Sequence, residues 1–171
     1  MGSQANDKKA IASLDILKGL GAAELEAILK IARRVRSASG EVIMREGDLG
    51  DVMYFFIEGE VNVSKELTLK VGRDSFSQAE KSMIKLKPGP AGVFGDMAMF
   101  GSEPRSATIT ASGNCVLYEI KRSDFESLCD SNPALGVKML RRIAGLLCDR
   151  LRKSNGDVLK LSTALSLALS K

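Results

Sequence analysis

Histidine is absent from the 171 residues, and cysteine occurs only three times. Without histidine, neither a Ser-His-Asp triad nor a Cys-His pair can be assembled, and histidine-ligated zinc or iron is excluded as well. Cys115, Cys129 and Cys148 are too few and too scattered for a disulfide framework or a CxxC knuckle. They read as buried thiols in a reducing compartment. No apolar run approaches the roughly 20 residues of a membrane span, and the polar opening MGSQANDKKA lacks the apolar segment of a secretory signal. A soluble cytoplasmic protein is therefore expected. Charge is not strongly one-sided: the net value of +4 suits an anionic ligand or a weakly basic surface without demanding nucleic acid.

What is present divides by period. From Ala10 to Ala32, Leu14, Leu17, Leu25, Ile28 and Leu29 recur at helical spacing, and Gly19 and Gly21 split the run into two short helices. From about Arg33 the period shortens. Glu41–Met44, Val52–Ile57 and Glu60–Val63 are brief, β-branched or aromatic, and punctuated by glycines. Such strands predict an antiparallel sandwich or barrel. Ser64–Ser82 is more charged and reads as an extended surface hairpin or loop. Strands resume at Met83–Leu86 and run, past Lys87–Gly92, to Cys115–Ile120.

Helical signals then return. Ser123-Asp-Phe-Glu126 has the form of a capping box, and Asn132-Pro133 that of an N-cap followed by proline at the first helical position. A long helix is expected to about Lys153. Val137, Leu140, Ala144, Leu147 and Leu151 form a coiled-coil-like seam on it. The seam suits packing on the chain's own β-domain or dimerisation with a second copy. Arg141, Arg142, Arg150, Arg152 and Lys153 read as a solvated face, with a partner or nucleic-acid contact as the alternative. Asn155-Gly156 is expected to interrupt the helix before a last amphipathic segment through Val158, Leu161, Leu165 and Leu169.

The stretch FGDMAMFGSEPRSATI, Phe94–Ile109, carries the chemistry. Arg105 stands among apolar, small and glycine residues, and a buried guanidinium needs an anion. If Asp96–Met99 forms one helical turn, its free N–H groups converge on one place, and Gly95 lets the backbone come close. Arg105 and Ser106 can complete the grip, and this donor set favours phosphate over carboxylate. Asp96 is an anion beside an anion site. It fits if its carboxylate accepts from a ribose hydroxyl, as acidic residues do in dinucleotide sites. No P-loop lysine is present, which argues against nucleotide triphosphate hydrolysis, and nothing pairs a base with a nucleophile, so no enzyme is expected.

These residues resemble the cyclic-nucleotide-binding domain shared by catabolite activator proteins, protein kinase A regulatory subunits and cyclic-nucleotide-gated channels. The family's phosphate-binding cassette, F-G-E-x-A, a loop, then P-R-x-A-T, is matched by Phe94-Gly95-Asp96-Met97-Ala98 and Pro104-Arg105-Ser106-Ala107-Thr108. Ser39-Gly-Glu-Val-Ile43, Glu46-Gly-Asp48, Ile57-Glu-Gly-Glu-Val61 and Pro88-Gly89 extend the likeness, which covers about Leu14 to Leu151.

The resemblance implies an antiparallel double-stranded β-helix, or jelly-roll, with flanking helices: an N-terminal helical segment at 1–32, a β-roll at 33–122 with its cassette at 94–108, and C-terminal helices at 123–171. It also implies that Arg105 and the Met97 and Ala98 amides bind a cyclic phosphate and that Asp96 binds the 2′-hydroxyl. Gly95 would shape the turn, Ser106 would lie near phosphate and base, and Ala107 would line the site. No metal or cofactor is implied beyond the ligand. Serine after the cassette arginine resembles cAMP binders more than cGMP binders. Aspartate replaces the family's usual glutamate, which makes its hydroxyl bond longer or water-bridged. The competing reading is a ligand-independent scaffold in which Arg105 pairs with Asp96 or Glu103. Only about twenty residues follow Leu151, too few for a helix-turn-helix domain, so a free-standing sensor is expected. Its C-terminal helices would shift on binding, with an apolar residue between Leu146 and Leu161 covering the base.

Overall fold

The computed structural model describes the backbone of residues 2–70 and 76–170. Three helical pieces come first: α1 (Gly2–Ala12), one 3-10 turn at Asp15–Leu17, and α2 (Ala22–Ile31). The first helix thus starts earlier than its apolar spacing suggested and stops before Leu14. Strands β1 (Arg33–Ser37), β2 (Val42–Met44), β3 (Val52–Glu58), β4 (Val61–Lys70), β5 (Phe76–Leu86) and β6 (Val93–Phe94) follow. A 3-10 turn at Asp96–Met99 separates β6 from β7 (Thr108–Ala111) and β8 (Cys115–Lys121), and α3 (Arg122–Ser131) and α4 (Pro133–Leu169) close the chain.

The strands form two antiparallel four-stranded sheets, ordered β1-β8-β3-β6 and β2-β7-β4-β5. This is the expected jelly-roll. The pairing of β4 with β5 accounts for the extended hairpin reading, and residues 71–75 lie outside the described residues. β1, Arg-Arg-Val-Arg-Ser, was not legible as a strand. Its pairing with β8 on the sheet edge carries it, and Arg33 meets Glu119 at 2.6 Å.

β3 shows how the layers are held. Met53 and Phe55 point to the helices and join Ile11, Leu14, Ile28, Phe125, Met139 and Ile143 in one core. Phe56 points the other way and joins Phe94, Leu117, Val61 and Ile109 between the sheets. A strand buried on both faces explains the unbroken apolar run Val52–Ile57, and each large side chain buried here contributes about 1.5–3 kcal/mol.

Two helix signals read differently in the structure. α3 begins at Arg122, one residue before the expected serine cap, and Lys121 at its N-cap makes no capping bond. Tertiary contacts set that start instead: the Arg122 N–H donates to Asp51 O at 2.7 Å, and its Nε donates to Ala98 O, also at 2.7 Å. α4 does not break at Asn155-Gly156 but runs unbroken for 37 residues. One glycine costs a helix only about 1 kcal/mol, less than the neighbouring leucines, lysines and alanines support. Asn132 does cap α4, accepting from Leu135 N–H at 3.2 Å, with Pro133 at the first turn. Among the described residues, no helix is long and apolar enough to cross a membrane.

Candidate functional site

Gly95 ends β6 with φ +73°, in the left-handed region. A Cβ there would lie 2.7 Å from Val52 O and 2.8 Å from Arg105 Nη1, so only glycine fits. The turn that follows is 3-10 rather than α-helical. Its Ala98 N–H donates back to Gly95 O at 3.1 Å, so that amide is partly engaged rather than free. Ala98 is buried, and Met97 stands exposed at the mouth.

Arg105 is half-buried and does not pair with Asp96 or Glu103. Its Nη2 donates to Val52 O at 2.8 Å and its Nη1 to Gly95 O at 3.3 Å. Its backbone is clamped as well, donating to Asp48 O at 2.9 Å and accepting from Gly47 N–H at 3.0 Å. Gly50 clears the other side, since a Cβ there would come within 2.5 Å of the guanidinium Nε. Two carbonyls orient the fork, and its remaining donors stay open to a ligand.

Asp96 is only 1% exposed. Its Oδ1 accepts from Arg150 Nη1 at 2.6 Å, and Arg150 Nη2 donates to Val93 O, also at 2.6 Å. Its Oδ2 is buried and has no hydrogen-bond partner among the described residues. Arg150 therefore does not lie on a merely solvated face of α4, as its basic neighbours suggested. It reaches across to the turn at Asp96–Met99. The signal was there: Arg150 continues the face of Met139, Ile143 and Leu146, which points at the β-roll.

A cavity of about 590 Å³ opens between this turn and α4. One wall is apolar, from Met44, Val63, Ile84, Leu86, Ile109 and Leu146. Its polar lining comes from Asp96, Arg105, Ser106 and Arg150, among others. Gly95, Met97, Ala98 and Ala107 also border it, so all the residues singled out in the sequence meet at one place. Of the apolar residues from Leu146 onward, Leu146 lines the cavity, with Asp149 and Lys153 beyond it. Beneath the site, Tyr54 and Phe94 stack with centroids 5.3 Å apart. Burial first, then the charge of Glu119, pushes the Tyr54 phenol up, so it stays neutral and serves as packing. On the far side, Arg122 holds the Ala98 and Gly101 carbonyls, tying the same turn to α3.

The cavity thus joins an arginine fork, a buried carboxylate and aliphatic side chains. Comparison with known proteins gives the family. The profile of the family described as "Cyclic nucleotide-binding domain" matches residues 34–132. A cyclic nucleotide-gated potassium channel of Mesorhizobium japonicum is 33% identical over 134 residues, covering 78% of this chain and 33% of the channel. A cAMP-dependent protein kinase regulatory subunit of Dictyostelium discoideum is 32% identical over 116 residues, 68% of this chain and 33% of that protein. The crystal structure of Thermus thermophilus catabolite activator protein has a TM-score of 0.70 at 27% identity, covering 86% of this chain and 63% of that one. The chain thus spans about a third of the length of these curated relatives. From the left-handed glycine and clamped arginine to the two sheets behind them, this chain belongs to the cyclic nucleotide-binding domain family.

Proposed function

We propose that the chain is a cytoplasmic cyclic-nucleotide sensor and that its ligand is cAMP. One observation carries the reading: a buried carboxylate oxygen, Asp96 Oδ2, lacks a partner beside an arginine whose fork is already oriented. An unmade hydrogen bond on a buried polar atom costs about 1–3 kcal/mol, and a ribose hydroxyl in the cavity would remove that cost. The cyclic phosphate carries a single charge, which one arginine matches. In this reading Gly95, Met97, Ala98, Ser106 and Ala107 shape the rest of the pocket. Ser106, together with the cAMP named in the kinase subunit relative, favours cAMP over cGMP.

The output would pass through α3 and α4, which hold the cassette by Arg122 and Arg150. Residues 1–32, 33–122 and 123–171 then act as a support, a receiver and a transmitter. The transmitter also offers an interface. Val137, Leu140 and Leu151 on α4 are exposed, and the same spacing continues through Val158, Leu161 and Leu165. Exposed apolar residues at alternating three- and four-residue spacing suit the pairing of two helices, so a homodimer through α4 is part of the proposal. The chain performs no chemistry on its ligand in this account.

A second reading has its own support: Asp96 already has a cation in Arg150, as it would in a ligand-independent scaffold. Isothermal titration calorimetry with cAMP and cGMP separates the two. Micromolar or tighter binding is expected. Arg105→Ala loses charge-assisted bonds of about 1.5–3 kcal/mol each, so Kd should rise roughly a hundredfold or more. Absence of heat with either nucleotide would leave the scaffold.

A further inference from the structure

A second cavity, of about 350 Å³, lies at the other end of the N-terminal segment, between the turn after Leu17 and α4. Lys18, Gly19, Leu20, Lys138, Arg141 and Arg142 line it. Four of those six side chains are cationic. Lys18 faces Asp15 at 3.2 Å, and Lys138 faces Glu24 at 2.6 Å. Among the described residues, Arg141 and Arg142 meet no carboxylate and donate to no acceptor. The cavity therefore holds two unmatched positive charges, both on planar forks with several free donors.

The turn is shaped around one of those forks. Gly19 has φ +82°, and a Cβ there would lie 3.2 Å from Arg142 Nη2. The missing side chain lets that guanidinium lie against the backbone at the cavity wall. None of these residues borders the cavity at Asp96, so the site is separate from the nucleotide pocket.

We propose that this cavity binds a phosphate monoester dianion. The charge argument selects the class. A monoester carries about −1.5 to −2 at neutral pH and three acceptor oxygens, which two free guanidiniums match in charge and supply with donors. A carboxylate supplies half that charge. A phosphodiester carries a single negative charge per group, so a nucleic-acid strand matches the two guanidiniums less well. The monoester can be free in solution or be borne by a phosphorylated side chain of a partner. Because three of the four cations, Lys138, Arg141 and Arg142, stand on α4, occupancy would bear on the helix that also reaches Asp96 through Arg150.

The test is a residue-resolved amide NMR titration of the intact chain, so that effects at Gly19 and Leu20 are read apart from effects at Gly95. Inorganic phosphate, a short phosphoserine peptide, its serine counterpart and a single-stranded oligonucleotide are added in turn. Saturable shifts at Lys18, Gly19 and Leu20 are expected with inorganic phosphate and the phosphoserine peptide, both phosphate dianions, at least tenfold tighter than with the other two. A tighter peptide than free phosphate would identify a protein-borne group, and equal affinity a free one. Arg142→Gln and Arg141→Gln should each weaken binding at least tenfold. Arg152→Gln, on the same helix but outside the cavity, should not. Shifts that fail to saturate, equal losses in all three variants, or stronger binding of the oligonucleotide would overturn the proposal. The readout does not depend on cyclic nucleotide, so its failure and failure of the sensor reading are distinct results.

Discussion

Removing the Arg150 side chain charge, as in Arg150→Met, tests whether α4 is clamped to the cassette. At 2.6 Å the ion pair with Asp96 has a gross Coulomb energy of roughly 6 kcal/mol at an effective dielectric of about 20. Desolvation offsets much of this, because the Asp96 side chain is only 2% exposed. Solvent screening takes more, because the Arg150 side chain is 42% exposed. A net coupling of about 1–3 kcal/mol remains. For a chain of this size 1 kcal/mol moves the melting temperature by about 2–4 °C, so a fall of roughly 3–10 °C is expected. Thermal unfolding of wild type, Arg150→Met, Asp96→Asn and the double variant completes a cycle that isolates the pair. Raising salt should shrink the gap between wild type and Arg150→Met. Single losses that add to within about 0.5 kcal/mol in the double variant would show that the pair carries no coupling, and the account of α4 would be wrong.

Gly95→Ala should destabilise the fold by about 1–2 kcal/mol, from the left-handed φ alone. It should also weaken cAMP binding more than tenfold, because the new methyl displaces Arg105; chemical denaturation and calorimetry read the two effects apart. Val158→Asp with Leu165→Asp, on side chains 60% exposed, should leave nucleotide affinity unchanged while converting a dimer to a monomer in sedimentation velocity and removing any concentration dependence of the melting temperature. Glu24 is held below the ordinary carboxylate range, first by the hydrogen bond from Lys138 and then by the Gly21 N–H. A depressed carboxyl stabilises the fold above its unfolded pKa and loses that contribution as pH falls through the lower folded value. The melting-temperature gap between wild type and Glu24→Gln should therefore be present at neutral pH and close in acid.

What was legible in the sequence was what is local. The cassette reads directly because its glycine, turn and arginine lie within a dozen residues, and each has one physical reason to be there. The short strands read from β-branched runs and glycine punctuation. Three features did not read, each because distant residues decide them. β1 is a strand through its ladder to β8, although its own composition is charged. α3 starts where Arg122 finds Asp51 and Ala98, not where a serine offers a cap. Arg150 is one arginine among several on α4, and its partner lies 54 residues away in the chain. Only the phase of the helix, carried forward from Met139 and Ile143, separates it from its solvated neighbours.

That arginine changes what the aspartate means. Measured against the family's glutamate, Asp96 is one methylene short, and the sequence alone suggests a weakened contact. In the structure the shortfall is met from the other side, because α4 comes to the carboxylate rather than the carboxylate reaching out. Arg150 takes Oδ1 and leaves Oδ2 facing no one. A ribose hydroxyl bound at Oδ2 need not displace the arginine, and both contacts can stand together. The ligand then favours the arrangement in which α4 is docked, since only that arrangement keeps the carboxylate's charge matched while its second oxygen is used. A ligand shifts an equilibrium only by its differential affinity for the two states. In the proposed sensor the difference would reside in one carboxylate shared between nucleotide and helix, so binding should close α4 onto the cassette rather than release it.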